Sequence, residues 1–373
     1  MRLVVFFSRG MSLDGWRRAG ILDREMALYG RLLPHLHHLA FVTYGGPADV
    51  DIARQFPGLE VLTNRWNLPS NLYSVAAPFL HWRALDAATV FKTNQINGAW
   101  AAVIAKRRYR KALLVRCGFL WSDFVARLHP DSWRQRAAVR LERTAFQAAD
   151  AAIVAAAADR ETILTRYNLS ARRVHVIPNY VDTALFAPQQ GIERRQGQVL
   201  FIGRLEDQKN VDSLIDAVDG LPGVTLAIVG DGLHRARLQD IVAQRRLGVT
   251  FMGAQPHGEL PRLLGECSVF VLPSFYEGNP KSLVEAMACG VPVVGTRVPG
   301  IREIIVHGEN GYLCGTSAGE IREALQAVLS DADLRARMAD RAVAYVRENC
   351  SLTHAVDREL AVLRSAVDDV GVR

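Results

Sequence analysis

Glu277 and Glu285 stand eight residues apart in the stretch PSFYEGNPKSLVEAMACG, residues 273–290, and their setting suggests what two carboxylates could do there. Val269 to Leu272 reads as a buried strand and Pro273 to Pro280 as a loop. A helix should start at Pro280 or Lys281, since proline favours the first helical position. The unpaired backbone N–H groups of Lys281, Ser282 and Leu283 would then leave the C-terminal edge of a sheet and form an anion site, at the place where α/β proteins bind ligands. Glu277 precedes that helix end and Glu285 follows it, so the two carboxylates could accept hydrogen bonds from sugar hydroxyls on either side of a diphosphate. A lone pair of glutamates is more often a solvated loop residue and a solvated helix residue. The apolar run LVEAMACGVPVV around Glu285 argues instead for an enclosed carboxylate, which needs polar partners to offset its desolvation.

The E-x7-E spacing, with Pro-Ser before it and Glu-Ala-Met-Ala-x-Gly-x-Pro-Val-Val in its wake, resembles the GT-B glycosyltransferases of family 4. The resemblance is specific over residues 177–345 and weaker before them. It implies that Glu277 meets the donor sugar, that Glu285 holds the ribose, that the backbones of Gly278 and Asn279 face the sugar, and that those of Lys281 and Ser282 face the phosphates. In FIGRLEDQKN, residues 201–210, the family's Arg and Lys five residues apart are matched by Arg204 and Lys209, with Gly203 beside them in the donor site. Two cations aimed at one diphosphate stabilise the charge that develops as the glycosidic bond breaks. Glu277, Arg204 and Lys209 are thereby the implied catalytic set, with surface cations beside Glu206 and Asp207 as the plainer alternative. GAQPHGELPRLL resembles the loop against the nucleotide base, where His257 either stacks or is merely exposed. VGDG at residues 229–232 lacks the third glycine of a dinucleotide fingerprint.

In the first half the family's Gly-rich turn after the first strand is sought in SRGMSLDGWRRAGILDRE, with Gly20 preferred and Gly15 second. Either could be a simple turn glycine. A His-Asp pair common in the family is replaced by Cys117 and Gly118, which leaves Asn94, Gln95 and Arg116 as candidates for the sugar or acceptor.

Such residues need a scaffold, and 373 residues with 49% apolar side chains suffice for two α/β cores. Strand runs at Leu3 to Phe7, Leu39 to Tyr44, Val90 to Thr93, Ala112 to Arg116 and Ala151 to Ala155 alternate with helical ones. The alternation restarts at Val199 after the connector VIPNYVDTALFAP, with Val291 to Gly295 as its last strand. The expected fold is α/β, GT-B, with two Rossmann-like domains and a cleft between them. Residues 1–180 would bind the acceptor, residues 181–350 the nucleotide sugar, and residues 351–373 would form a helical tail packing back on the first domain. Closure about Tyr180 to Pro188 would assemble the site.

Charge separates the halves. Residues 1–180 carry 25 Lys and Arg against 13 Asp and Glu, and the remainder carries 20 against 25. The excess concentrates from Lys106 to Arg143, interleaved with Phe119, Trp121, Phe124 and Trp133. This suits an amphipathic helical surface on anionic lipid headgroups, or equally a solvated basic face over buried tryptophans. No recognition motif accompanies the charge to favour nucleic acid. The five scattered cysteines read as free thiols of a reducing compartment, and LVVFF is too short for a signal-peptide core. The expected location is cytoplasmic, with peripheral attachment at the inner face of the cell membrane as the option the basic face opens. Asp49 and Asp51 spell DxD in a loop of the wrong architecture for a metal site, so neither metal nor cofactor is expected beyond the nucleotide-sugar substrate. The resemblance implies retaining transfer of a sugar from a UDP- or GDP-sugar to a glycan or lipid-linked acceptor, in cell-surface polysaccharide or lipopolysaccharide assembly. A phosphorylase, a nucleotide-sugar epimerase and a non-catalytic glycan-binding protein are the alternatives.

Overall fold

The computed structural model describes residues 1–371. It divides into two compact units, residues 1–178 joined by 355–371, and residues 179–354.

Unit 1 is built on seven parallel strands: β1 (Arg2–Phe6), β2 (His38–Val42), β3 (Leu59–Leu62), β4 (Val90–Thr93), β5 (Ala112–Cys117), β6 (Ala151–Val154) and β7 (Val174–Val176), ordered β3-β2-β1-β4-β5-β6-β7. Unit 2 holds six: β8 (Gln198–Ile202), β9 (Thr225–Val229), β10 (Val249–Gly253), β11 (Val269–Leu272), β12 (Val293–Thr296) and β13 (Tyr312–Cys314), ordered β10-β9-β8-β11-β12-β13. Both are doubly wound sheets. The order reverses between β1 and β4 and between β8 and β11, the crevice positions where such sheets bind ligands.

Sheets covered on both faces need strands that are apolar throughout, and VFVL of β11 is fully buried. The strands missing from the sequence reading, β3, β7 and β13, are all edge strands. Each is only three or four residues long, and LEVL, VHV and YLC carry polar or half-buried positions that blunt the apolar signal. β12 starts at Val293 because Pro292 has no N–H for the ladder.

The basic region is not one amphipathic helical surface. The helix Ala99–Tyr109, strand β5 and the helices Trp121–Leu128 and Trp133–Ala148 divide it, and β5 carries Arg116 into the interior. Lys106 is held by Asp150. Trp133 and Phe124 are exposed rather than buried.

The helix Leu352–Gly371 belongs to unit 1 from residue 355 onward. Its Glu359 is fully buried, pairs with Lys92 of β4, and lies 3.5 Å from Arg116 Nη1. Lys92 Nζ also sits 4.8 Å over the Tyr29 ring. Burial pulls the Lys92 pKa down, and the Glu359 carboxylate opposes that shift. Among the described residues no helix is long and apolar enough to cross a membrane. The five cysteines are buried and unpaired, with burial pushing Cys267 and Cys289 up to about 12.

Candidate active site

β11 ends at Leu272, and the following loop delivers Glu277 beside the start of the helix Lys281–Ala288. Pro280 is the N-cap residue rather than the first helical one, and no side chain caps that helix end. A side chain at this position would occupy the helix's leading N–H groups. Proline there leaves them facing outward, as an anion site requires.

Two polar partners hold Glu277. Its Oε1 accepts from Lys209 Nζ at 2.5 Å and from Ser274 Oγ at 2.6 Å. The side chains of Glu277 and Lys209 are 8% and 14% exposed, so this is a largely enclosed ion pair. An ammonium has three protons, which leaves Lys209 able to serve an oxygen beyond Glu277. Arg204 behaves differently. It is 69% exposed and pairs with Glu206 at 2.9 Å, a surface contact worth little and readily exchanged for a more highly charged anion.

The residues on either side of Lys209 build the base of the site, and sequence reasoning did not single them out. Gln208 Nε2 donates to the Tyr276 carbonyl at 2.9 Å, and the Phe275 N–H donates to the Gln208 carbonyl at 2.9 Å. Asn210, buried and at φ +52°, donates through Nδ2 to the carbonyls of Pro273 and Thr316 at 3.0 and 2.8 Å. Three consecutive residues thus stitch the loop after β8 to the loop after β11. Their adjacency to Lys209 in DQKN was the available signal.

Two glycines permit close backbone approach. A Cβ at Gly300 would lie 2.0 Å from the Gly278 carbonyl and 2.5 Å from that of Glu277, so the helix Pro299–Arg302 presses directly on the loop that carries Glu277 and Gly278. Gly230 has φ +132°, and a Cβ there would fall 1.9 Å from the Gly203 carbonyl. The VGDG glycines therefore serve the packing of two loops, with Gly203 at the contact.

Glu285 is buried in the helix, and its Oε1 lies 3.1 Å from His257 Nε2. A carboxylate only accepts, so Nε2 carries the proton in this contact. The His257 ring also lies 5.0 Å from that of Phe186 and is not an exposed side chain. Asn279 is turned toward the connector. Its Oδ1 accepts from the Asn179 N–H at 3.0 Å, and its carbonyl accepts from Asn179 Nδ2 at 2.6 Å. Lys281 Nζ stands 5.7 Å over the Tyr180 ring, and Ser282 follows it in the first helical turn.

In unit 1 the ends of β4 and β5 bring Asn94, Gln95 and Gly118 together. Gln95 Oε1 accepts from the Gly118 N–H at 2.8 Å, and Asn94 Oδ1 accepts from the Tyr29 hydroxyl at 3.3 Å. Arg116 is buried toward Glu359. Gly15 lies within the helix Leu13–Arg18, where its N–H donates to the Ser12 cap, and Gly20 follows that helix at φ +67°. Asp49 is buried and accepts from the Asp14 N–H, whereas Asp51 faces outward onto Arg54, so the DxD carboxylates do not converge.

The family model described as glycosyl transferases group 1 matches residues 182–344, and that described as glycosyltransferase family 4 matches residues 27–185. The chain belongs to the family 4 glycosyltransferases. It is 32% identical over 256 residues to the alpha-maltose-1-phosphate synthase of Mycolicibacterium smegmatis, a match covering 60% of this chain and 65% of that one. It is 33% identical over 187 residues to the N-acetyl-alpha-D-glucosaminyl L-malate synthase of Bacillus anthracis, covering 48% of each. The chain therefore spans less than two thirds of these relatives. The Anabaena protein HepE, solved with UDP, superposes with a TM-score of 0.80 at 21% identity, covering 98% of this chain and 100% of that one. The fold is GT-B.

Proposed function

We propose that this family 4 member is a retaining, metal-independent glycosyltransferase that moves a hexose from a UDP- or GDP-sugar to a glycan or polyprenyl-linked acceptor. The observation that carries the reading is the enclosed Glu277, held by Lys209 and Ser274 in front of an uncapped helix N-terminus. A carboxylate fixed by two donors on one oxygen offers the other oxygen to a sugar hydroxyl. The helix end and the spare protons of Lys209 take the diphosphate, and Arg204 exchanges Glu206 for it. Glu285, with one oxygen on His257, offers the other to a ribose diol. Occurrence of UDP in the HepE structure supports a uridine donor.

The reaction is a front-face displacement. The C1–oxygen bond to the diphosphate breaks, the acceptor oxygen forms its bond to C1 on the same face, and the acceptor proton passes to the departing phosphate oxygen. Glu277 takes no covalent part. The acceptor class that suits the basic first half belongs to polysaccharide or lipopolysaccharide assembly, with Lys106 to Arg143 near an anionic membrane at the cytoplasmic face.

A binding screen across UDP-, GDP- and ADP-sugars tests the donor, and proton NMR of the product reads the anomeric configuration. Inversion at C1 would refute retention, and Glu277→Ala with undiminished turnover would remove the site.

A further inference from the structure

The helix Ser70–Leu80 is apolar on both of its faces. Its sequence SNLYSVAAPFL holds no charged side chain. Tyr73, Ser74, Ala77 and Pro78 turn inward, and Tyr109 of the neighbouring helix Ala99–Tyr109 donates its hydroxyl to the Pro78 carbonyl at 2.7 Å. On the opposite side Leu72, Val75 and Phe79, spaced three and four residues apart, are 55%, 53% and 54% exposed. Trp82, at the start of the next helix, is 55% exposed and continues the line. A surface helix ordinarily keeps its outward face polar, and one that is apolar all round belongs in an interior or against a partner. From Leu72 to Phe79 alone this ridge runs about 10 Å.

The charge around the ridge says what kind of partner. Arg65 lies 4.5 Å over the Trp66 ring and Arg83 lies 5.4 Å over that of Trp82. From residue 61 to residue 111 Asp86 is the only acidic side chain, against Arg65, Arg83, the buried Lys92 and the cluster Lys106, Arg107, Arg108, Arg110 and Lys111, of which Lys106 is paired with Asp150. The helix Ala99–Tyr109 beside the ridge carries three of those cations in its last turn. A second copy of the chain docked face to face would set this cationic rim against itself, a like-charge contact that opposes association. Apolar side chains flanked by tryptophan and arginine match a surface that is greasy below and anionic above.

We propose that this ridge docks the chain on an anionic lipid bilayer. Leu72, Val75, Phe79 and Trp82 enter the boundary between headgroups and acyl chains, while Arg65 and Arg83 meet lipid phosphates. The proposal deepens, and for its purpose rests on, the reading of the acceptor as membrane-linked. It also moves the apolar part of the contact from the Lys106 to Arg143 region to the helix Ser70–Leu80.

The test is flotation of the full chain with phosphatidylcholine vesicles, with and without phosphatidylglycerol, at low and high salt, beside UDP binding and a thermal melt. The wild type should float with anionic vesicles at low salt and not with neutral ones. F79S/W82S should weaken that binding at least ~10-fold, and R65E/R83E should abolish its salt-sensitive part, with UDP binding and melting unaltered in both. Trp fluorescence should shift to the blue on vesicle addition in the wild type. Absence of wild-type binding to anionic vesicles would overturn the proposal. So would binding unaltered in both variants, or a ridge-dependent dimer in sedimentation velocity without vesicle binding. Failure to bind UDP would count against the donor reading and leave the vesicle result standing.

Discussion

Removing the Lys209 ammonium would leave Glu277 as an unpaired carboxylate in a nearly closed position, and this perturbation tests the site at its most constrained point. The two groups are 2.5 Å apart, with side chains 14% and 8% exposed. Breaking a fully buried ion pair by deleting one partner costs about 3–5 kcal/mol. The residual exposure of Lys209 admits some water, so about 2–3 kcal/mol is expected for Lys209→Ala, and a similar loss for Glu277→Ala. The double variant removes both charges and keeps only the loss of packing. It should be no less stable than either single variant, a coupling of about 2 kcal/mol. Urea denaturation of the four proteins measures that term. Sugar-transfer kinetics on the same proteins should show kcat/KM lowered about 100-fold or more in each single variant. The double variant should fall no further, because the two residues act as one unit. Additive losses of stability, or undiminished turnover in Lys209→Ala, would refute the reasoning.

Glu359→Gln should destabilise unit 1 by about 3 kcal/mol, because the fully buried Lys92 would lose the carboxylate that supports its charge, whereas a paired Lys92→Met, Glu359→Leu replacement should recover most of the loss; urea melts decide. Gly300→Ala forces a Cβ to within 2.0 Å of the Gly278 carbonyl, so the loop that carries Glu277 must shift; about 1–3 kcal/mol of stability and about 100-fold of kcat should go, and unchanged kinetics would contradict the packing. His81 donates to or accepts from the Tyr73 hydroxyl at 2.8 Å, and burial lowers its pKa from 6.5 to about 4. The unfolded chain then binds the proton first as pH falls, so the stability this group confers is complete above pH 6.5 and declines toward pH 4, by about 3 kcal/mol in all. His81→Gln should flatten that part of the stability profile, read by urea melts at successive pH values.

Central strands were the legible part of the fold. Runs such as LVVFF and VFVL are buried on both faces and have no other reading, whereas the edge strands β3, β7 and β13 expose one side and lose the apolar signature. The spatial arrangement of the basic stretch from Lys106 to Arg143 was illegible for a related reason. Charge counted along the chain takes no account of a strand such as β5 passing through it, and Arg116 counts as a surface cation until its burial is seen.

By itself the sequence determined the doubled α/β architecture and the chemical types at the candidate site, because strand hydrophobicity and the Glu277 to Glu285 spacing are properties of contiguous segments. Only the tertiary structure decided which cation holds Glu277, since Lys209 and Glu277 are brought together by loops on two neighbouring strands, β8 and β11. It likewise placed His257 on Glu285, Gly300 against Gly278, and an apolar helix face toward solvent. Each of these depends on contacts between residues far apart in the chain, and spacing along a single segment carries no information about which distant groups will meet.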